Sequence, residues 1–238
     1  MNALRALAAL AIVSGGFFAL YEVIEAPQSG AFEPVFVRGA GHRVALTFDD
    51  GPTPGVTDRV LAQLERAHAT ATFFVVGRAV RAHPELVQRM VRDGFAVESH
   101  SDTHAHLNAL APSALAAELD RSIAAIERAG APAPHWLRPP FGARDAAVIG
   151  AAQARGLRIV TWGPALLGEP QSSDLRAQAQ ALAARVHDGD VVLLHDGERG
   201  TGRRGERTWE ADVTPHLVEA LRARGFALVT LDRLAQGV

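Results

Sequence analysis

The chain of 238 residues contains no cysteine. Disulfide bonds, thiolate metal sites and cysteine nucleophiles are therefore excluded, although the redox environment of the protein stays open. Aromatic residues make up only 6% of the chain, and its formal net charge is -2. A nearly neutral chain gives no support for general nucleic-acid binding, which needs a strong basic excess. No glycine-rich phosphate-binding fingerprint follows the first predicted strand, so a dinucleotide-binding fold lacks its main signature.

The overall composition is that of a globular protein. Hydrophobic residues account for 48% of the chain and charged residues for 21%, which allows a substantial core. The part of the chain from residue 42 onward has a length that suits one domain or one (β/α) barrel.

An uncharged apolar run, Ala6 to Tyr21, lies near the N-terminus. The run is short for a membrane span, but with its flanking residues it could cross a bilayer. Arg5 and the amino terminus favour a cytoplasmic N-terminus and an exported C-terminal part, periplasmic or extracellular. We interpret residues 1–26 as a signal anchor that holds the protein at the membrane, and residues 27–41 as a linker. A cleaved signal peptide is the alternative, and the protein would then be secreted.

Beyond the linker, apolar or β-branched runs alternate about seven times with helical patterns, which indicates parallel strands with helices outside. A barrel and an open doubly wound sheet both fit this alternation. Ser113 is expected to begin one helix, and Ser172 or Ser173 another. Strands are predicted at residues 43–48, 70–77, 95–100, 135–140, 157–162, 190–196 and 226–231. Helices are predicted at residues 55–69, 83–94, 112–130, 143–156, 172–189 and 211–225.

Polar side chains collect where the predicted strands end. Chemistry in parallel α/β folds lies at the carboxyl ends of the strands, so we expect these side chains to share one rim. The residues in question are Asp49 and Asp50 after the first strand, His100 and His104 after the third, Arg138 after the fourth and His195 after the sixth.

The acids and histidines at this rim suggest a metal site. One aspartate and two histidines form a three-ligand set that leaves a position open for water, as in catalytic zinc sites. A helical turn after His100 would direct His100 and His104 the same way. Zn²⁺ is the favoured divalent ion, with Co²⁺ as an alternative. A single histidine would more often be a polar loop residue, and we interpret the nearby His106 in that way.

The remaining rim residues suggest acid–base chemistry. Adjacent side chains diverge, so one residue of the Asp49–Asp50 pair could bind the cation while the other acts as a base. Arg138 is expected to orient the base, and a structural salt bridge is the alternative. His195 ends an apolar strand and is a candidate general acid, with a satisfied core histidine as the alternative.

Four motifs, TFDDGP, HSDTH, RPPFG and LLHD, occur in this order. They resemble the signature blocks of the polysaccharide deacetylases, carbohydrate esterase family 4, also called the NodB-homology domain. The resemblance extends over roughly residues 42 to 235 and identifies residues 42–238 as a catalytic domain. It implies a deformed (β/α) barrel, here with about seven parallel strands behind an N-terminal hydrophobic helix. It also implies metal-dependent removal of N- or O-linked acetyl groups, and we expect a cell-envelope polysaccharide as the substrate, with no protein partner.

The resemblance also implies roles for individual residues. By motif, it assigns Asp49 as general base, His195 as general acid and Arg138 as the orienting residue, with Asp50, His100 and His104 as metal ligands. The backbone N–H at Phe141 would be the donor to the oxyanion, and Leu193 would form the wall of the pocket for the acetyl methyl group. Trp162 is a further candidate substrate contact.

One block of the family is missing. An Asp-x-x-Asp-Trp segment usually follows the fifth strand and pairs the acid histidine with a carboxylate, but this chain reads VTWGPALLGEPQSSD there. Glu169 or Asp174 could substitute. The missing block leaves two alternatives to a polysaccharide deacetylase, a hydrolase of non-sugar amides and an inactive glycan-binding relative. The glycine- and arginine-rich segment Gly197–Thr208 is interpreted as a solvated loop rather than a basic lid.

Overall fold

The structure is a computed structural model that describes residues 26, 27, 29, 34–166, 173–197 and 208–236. Its strands are β1 (Val35–Phe36), β2 (Arg43–Asp49), β3 (Thr72–Val75), β4 (Ala96–Ser99), β5 (Trp136–Leu137), β6 (Arg158–Val160), β7 (Val191–His195) and β8 (Ala227–Leu228). Its helices are α1 (Thr57–Arg66), α2 (Gly77–Ala82), α3 (Pro84–Arg92), α4 (Pro112–Arg128), α5 (Ala146–Gln153), α6 (Leu175–Ala184), α7 (Thr208–Ala223) and α8 (Leu231–Ala235).

The strands form one parallel sheet in the order β1-β6-β5-β4-β3-β2-β7, and β8 pairs with the amino end of β2. Past β6 the chain runs beside β7, where Gly163 N donates to Val191 O at 2.9 Å and Leu166 N donates to Leu193 O at 3.1 Å. These bonds curl the sheet toward closure. The predicted α/β fold, a deformed barrel of about seven parallel strands, is confirmed.

Alternation along the strands separates the helix-covered core from the barrel interior. Val44, Leu46 and Phe48 of β2 belong to the core cluster that includes residues of α1 and α7. The residues between them face the other way. Thr47 and Asp49 pair in register with Leu193 and His195 of β7. The interior face of the sheet therefore delivers Asp49 and His195 side by side at the rim.

Several details differ from the sequence-based expectations. Strand β1 lies inside the segment predicted as a linker and pairs with β6. It was not predicted because two apolar residues are too few to show a period. Helix α4 begins with Pro112 after Ala111 rather than at Ser113. Asp174, rather than Ser172 or Ser173, caps α6, since its side chain accepts a hydrogen bond from Ala177 N. The short helices α2 and α8 were not predicted, and α7 begins three residues before its predicted start.

The predicted signal anchor or signal peptide lies outside the described residues, apart from Ala26. Within the described part of the chain, no helix is both long and apolar enough to cross a membrane. The carbonyl oxygens of Ala26 and Ser29 accept hydrogen bonds from Arg144, and that of Pro27 accepts one from Thr161. The beginning of the predicted linker thus contacts the loops that follow β5 and β6.

Candidate active site

The turn after β2 separates the two adjacent aspartates. Asp50 has a φ of +79°, in the left-handed region, so its side chain departs from the direction of Asp49. Gly51 N donates to Asp196 Oδ1 at 3.2 Å. A Cβ at Gly51 would lie 2.2 Å from Asp196 Oδ2, so only glycine fits this position. Asp49 contacts a guanidinium, whereas Asp50 approaches two imidazoles.

Arg138 holds Asp49 from inside the barrel. Its Nη1 donates to Asp49 Oδ1 at 2.6 Å and to Thr47 Oγ1 at 2.9 Å, while Nη2 donates to Thr161 O at 3.3 Å. The guanidinium is fully buried, and its Cζ lies 4.1 Å from the ring centroid of Phe74. Burial lowers the pKa of Arg138, against the opposing effect of Asp49. Arg138 therefore fixes one carboxylate oxygen of Asp49 and leaves the other toward the rim.

Asp50 meets both predicted histidine ligands. Its Oδ1 lies 3.0 Å from His104 Nε2 and 3.5 Å from His100 Nε2, and the three side chains are at most 7% exposed. His100 Nδ1 lies 2.7 Å from the carbonyl oxygen of Arg138. Because a carbonyl only accepts, Nδ1 carries the proton and Nε2 offers a lone pair. Such a set of one carboxylate and two imidazoles suits a divalent cation.

The protonation states of this group also suit a cation. Burial opposes the ionised form of Asp50, but the adjacent imidazoles of His100 and His104 hold its pKa well below the ordinary range. Burial lowers the pKa of His104, which favours the neutral ring that binds metals. Asp50 Oδ1 and His104 Nδ1 are buried and have no hydrogen-bond partner among the described residues. Unsatisfied buried polar atoms call for an explanation, and a bound cation accounts for that of Asp50.

The two histidines are not joined by a helical turn, the arrangement that would have directed them the same way. Ser101 and His104 both have left-handed backbone angles, with φ of +66° and +61°, and His104 N donates to Ser101 Oγ at 3.0 Å. Asp102 anchors this loop, since it accepts hydrogen bonds from Arg81 at 2.6 Å and from Arg121 at 2.8 Å. The loop reaches the same result as a helical turn by a different backbone path.

Phe141 forms one side of the site. It lies in the tight turn Pro140–Gly142 with a φ of +62°. Its ring centroid is 4.7 Å from that of His104 in an edge-on arrangement. The Phe141 ring also stacks on the ring of His106, with the ring centroids 3.8 Å apart and the ring planes inclined by 6°. The interpretation of His106 as a loop residue agrees with this packing.

The other two predicted substrate contacts lie beside these groups. The ring centroid of Trp162 is 5.9 Å from Arg138 Cζ. Leu193 is 2% exposed and precedes His195 by two residues, so both side chains point to the same face of β7. The structure thus gathers every residue predicted for the site at one rim.

The carboxylate next to His195 is one that the sequence analysis missed. Glu169 lies outside the described residues, and Asp174 caps α6. Glu210 instead approaches His195 from the first turn of α7: its Oε2 accepts the His195 N–H at 2.6 Å, and its Oε1 lies 3.4 Å from Nδ1. Helix α7 was predicted to begin after Glu210, so no periodic signal marked this residue.

Comparisons with known proteins found similar sequences and structures. A family model described as polysaccharide deacetylase matches residues 37–160. A chitooligosaccharide deacetylase of Bradyrhizobium sp. (strain ANU 289) is 35% identical over 197 residues, which covers 80% of this chain and 90% of that protein. The peptidoglycan-N-acetylglucosamine deacetylase PgdA of Listeria monocytogenes is 32% identical over 197 residues, covering 81% of this chain and 38% of that longer protein. A solved family 4 carbohydrate esterase from Streptomyces lividans in complex with acetate has a TM-score of 0.66 and 28% identity, covering 81% of this chain and 93% of that one.

Proposed function

Because the chain belongs to the polysaccharide deacetylases of carbohydrate esterase family 4, we propose that it is a metal-dependent hydrolase that removes acetyl groups from a cell-envelope polysaccharide. One observation carries the assignment of roles. The two adjacent aspartates have separate partners, since Asp49 binds Arg138 while Asp50 faces the two histidines. This division provides a base and a metal ligand from neighbouring positions in the chain.

Asp50, His100 and His104 would hold the cation. Their donor set suits Zn²⁺, and Co²⁺ is the alternative. A divalent cation held there would polarise the acetyl carbonyl and lower the pKa of a water molecule. The buried oxygen of Asp50 that has no hydrogen-bond partner among the described residues supports this assignment.

Asp49 is the proposed general base. Its Oδ1 is bound by Arg138, and its Oδ2 lies 3.8 Å from His100 Nε2. That placement keeps one oxygen at the edge of the metal ligand set, where it can accept a proton from the attacking water. Arg138 keeps the carboxylate in one orientation, because Thr47 and Thr161 accept its other hydrogen bonds.

The oxyanion and the leaving group need two further donors. The backbone N–H of Phe141 is the proposed donor to the oxyanion, an interaction that contributes about 3–4 kcal/mol in comparable sites. His195 is the proposed acid that protonates the departing amine nitrogen. Water adds to the acetyl carbon, the C–N bond breaks, and acetate and a free amino group are the products. Leu193 and Trp162 are proposed to border the acetyl group and the adjoining sugar.

The relatives indicate the substrate class. Those described above are named for chitooligosaccharides and for peptidoglycan N-acetylglucosamine. We therefore propose an N-acetylated glycan of the cell envelope, with O-acetyl esters as the secondary possibility. Such a substrate is outside the cytoplasmic membrane, in agreement with a role of residues 1–26 as a signal anchor or a signal peptide.

A substrate panel tests this function. Acetate release would be measured on N-acetyl chitin oligomers, peptidoglycan, acetylated xylan and a non-sugar N-acetyl amide, with chelator and after addition of Zn²⁺ or Co²⁺. We expect release from one of the glycans that stops with chelator and returns with metal. Release from the amide alone would favour the non-sugar hydrolase. Glycan binding without any release by the metal-loaded protein would identify an inactive relative.

A further inference from the structure

We propose that Glu210 is the positioning residue for His195 in this chain, which lacks the Asp-x-x-Asp-Trp block. The inference rests on the proposed function, because it concerns how the acid of that reaction is held. None of the four sequence motifs includes Glu210, which lies 15 residues beyond His195.

Glu210 contacts His195 at two separate points. Its Oε2 accepts the backbone N–H of His195 at 2.6 Å, and its Oε1 lies 3.4 Å from the ring Nδ1. The Glu210 side chain is fully buried, whereas that of His195 is 12% exposed. One carboxylate therefore binds both the end of β7 and the imidazole ring. A proton on Nδ1 is directed to Glu210, so the proton available for transfer to a leaving group is the one on Nε2.

The other carboxylates near His195 have different partners. Asp49, its neighbour on β2, binds Arg138, and Asp50 faces His100 and His104. These two acids are thus engaged by other groups of the site. Glu210 is the one whose oxygen approaches Nδ1, and a carboxylate there favours the protonated ring that a general acid requires.

The position of Glu210 in α7 favours a carboxylate side chain. Glu210 lies in the first turn of α7, where the helix dipole favours negative charge. Thr214 Oγ1 donates to Glu210 O at 2.7 Å, which orders this turn. The support for the acid from Glu210 thus comes from the helix that precedes β8.

Glu210→Gln tests this role because it removes the charge and keeps the shape. The amide oxygen can still accept the His195 N–H, but the NH₂ group then faces Nδ1 and selects the tautomer without a proton there. We expect kcat on N-acetyl chitin oligomers to fall by about 10²-fold, and the alkaline limb of its pH profile to move to lower pH. The kcat on an aryl acetate should fall far less, because its leaving group needs little protonation. Glu219→Gln is the matched control, since Glu219 lies on the same helix, is 61% exposed and pairs with Arg176.

A second measurement does not depend on activity. Ring ¹⁵N spectra of the chelated protein, with the His195 signal assigned from His195→Gln, would be recorded at a pH where the ring is neutral. We expect a protonated Nδ1 in the wild type and a bare Nδ1 in Glu210→Gln. A bare Nδ1 in the wild type would overturn the inference even if Glu210→Gln failed to fold. Equal losses on amide and aryl ester by a folded Glu210→Gln would overturn it as well. If the wild type releases no acetate from any glycan, the proposed function fails, while the spectra still decide the role of Glu210.

Discussion

Two groups of three acidic or histidine side chains bring ligand atoms within 4.8 Å of one another in the described part of the chain: the rim cluster (Asp50, His100, His104) and the lower cluster (Glu98, His135, Asp232). Both draw on β4 and the loops beside it. They are similar in composition but differ in what their polar atoms contact, and that difference separates a site that needs a ligand from one that does not.

The lower cluster is satisfied by the protein itself. Glu98 Oε2 accepts the backbone N–H groups of His135 and Trp136, both at 2.8 Å, and Asp232 Oδ1 accepts Trp136 Nε1 at 2.7 Å. The side chain of His135 is 69% exposed. Burial raises the pKa of Glu98 to about 8, so this group is protonated at neutral pH and a poor cation ligand. The rim cluster has buried atoms without such partners, and spacing alone would not have told the two apart.

The largest difference is expected when one histidine is removed from each cluster. His104→Ala should abolish stoichiometric metal binding and lower acetate release by at least about 10³-fold, because it removes a ligand. His135→Ala, the matched control, should keep its metal and remain within about twofold of the wild type. Metal analysis after gel filtration, acetate assays and circular dichroism would be compared. Metal retained by His104→Ala, or lost by His135→Ala, would contradict the distinction.

Removing one acid beside the rim cluster and one acid of the lower cluster distinguishes an effect on the reaction from an effect on metal binding. Asp49→Asn should lower kcat by about 10³-fold while the metal stays bound, since Asp49 contacts Arg138 and the proposed ligands remain. The variant should also unfold at a lower temperature, because Arg138 keeps its buried charge without an anionic partner. Asp232→Asn is the control and should retain activity. Normal turnover by Asp49→Asn would show that the base has been wrongly assigned.

The smallest expected effect is on stability and belongs to the lower cluster. Between the ordinary pKa of 4.5 and the raised pKa of about 8, folded Glu98 holds a proton that the unfolded chain has released. The free energy of unfolding of the wild type therefore falls as the pH rises through this window. Relative to Glu98→Gln, which cannot titrate, we expect the chelated wild type to lose about 1–3 kcal/mol between pH 5 and pH 8.

Urea unfolding of both proteins at several pH values measures this loss. Glu85→Gln is the control, because Glu85 is 64% exposed and lies in the first turn of α3. A stability difference between wild type and Glu98→Gln that stays constant with pH would show that Glu98 does not take up a proton on folding.

The sequence was sufficient for those site residues whose position follows from a strand. The ends of β2, β4 and β7 are visible as apolar runs, and parallel pairing then brings Asp49, His100 and His195 to one rim. Residues that depend on loop backbone or on distant packing were not accessible in this way. The left-handed angles that direct His104 have no glycine to mark them. The contact of Glu210 with His195 depends on how α7 packs against β7, which no local pattern encodes.

The pairing of β2 with β7 also fixes the spacing of the two backbone positions that carry Asp49 and His195, the proposed base and the proposed acid. Asp49 and His195 are direct partners in this pairing, and Asp196 N donates to Asp49 O at 3.0 Å. Neighbouring strands are separated by about 4.8 Å, and changing this spacing would require breaking the hydrogen bonds of the sheet. Under the proposed function, adaptation to a different glycan would therefore fall to the surrounding loops rather than to this strand pair.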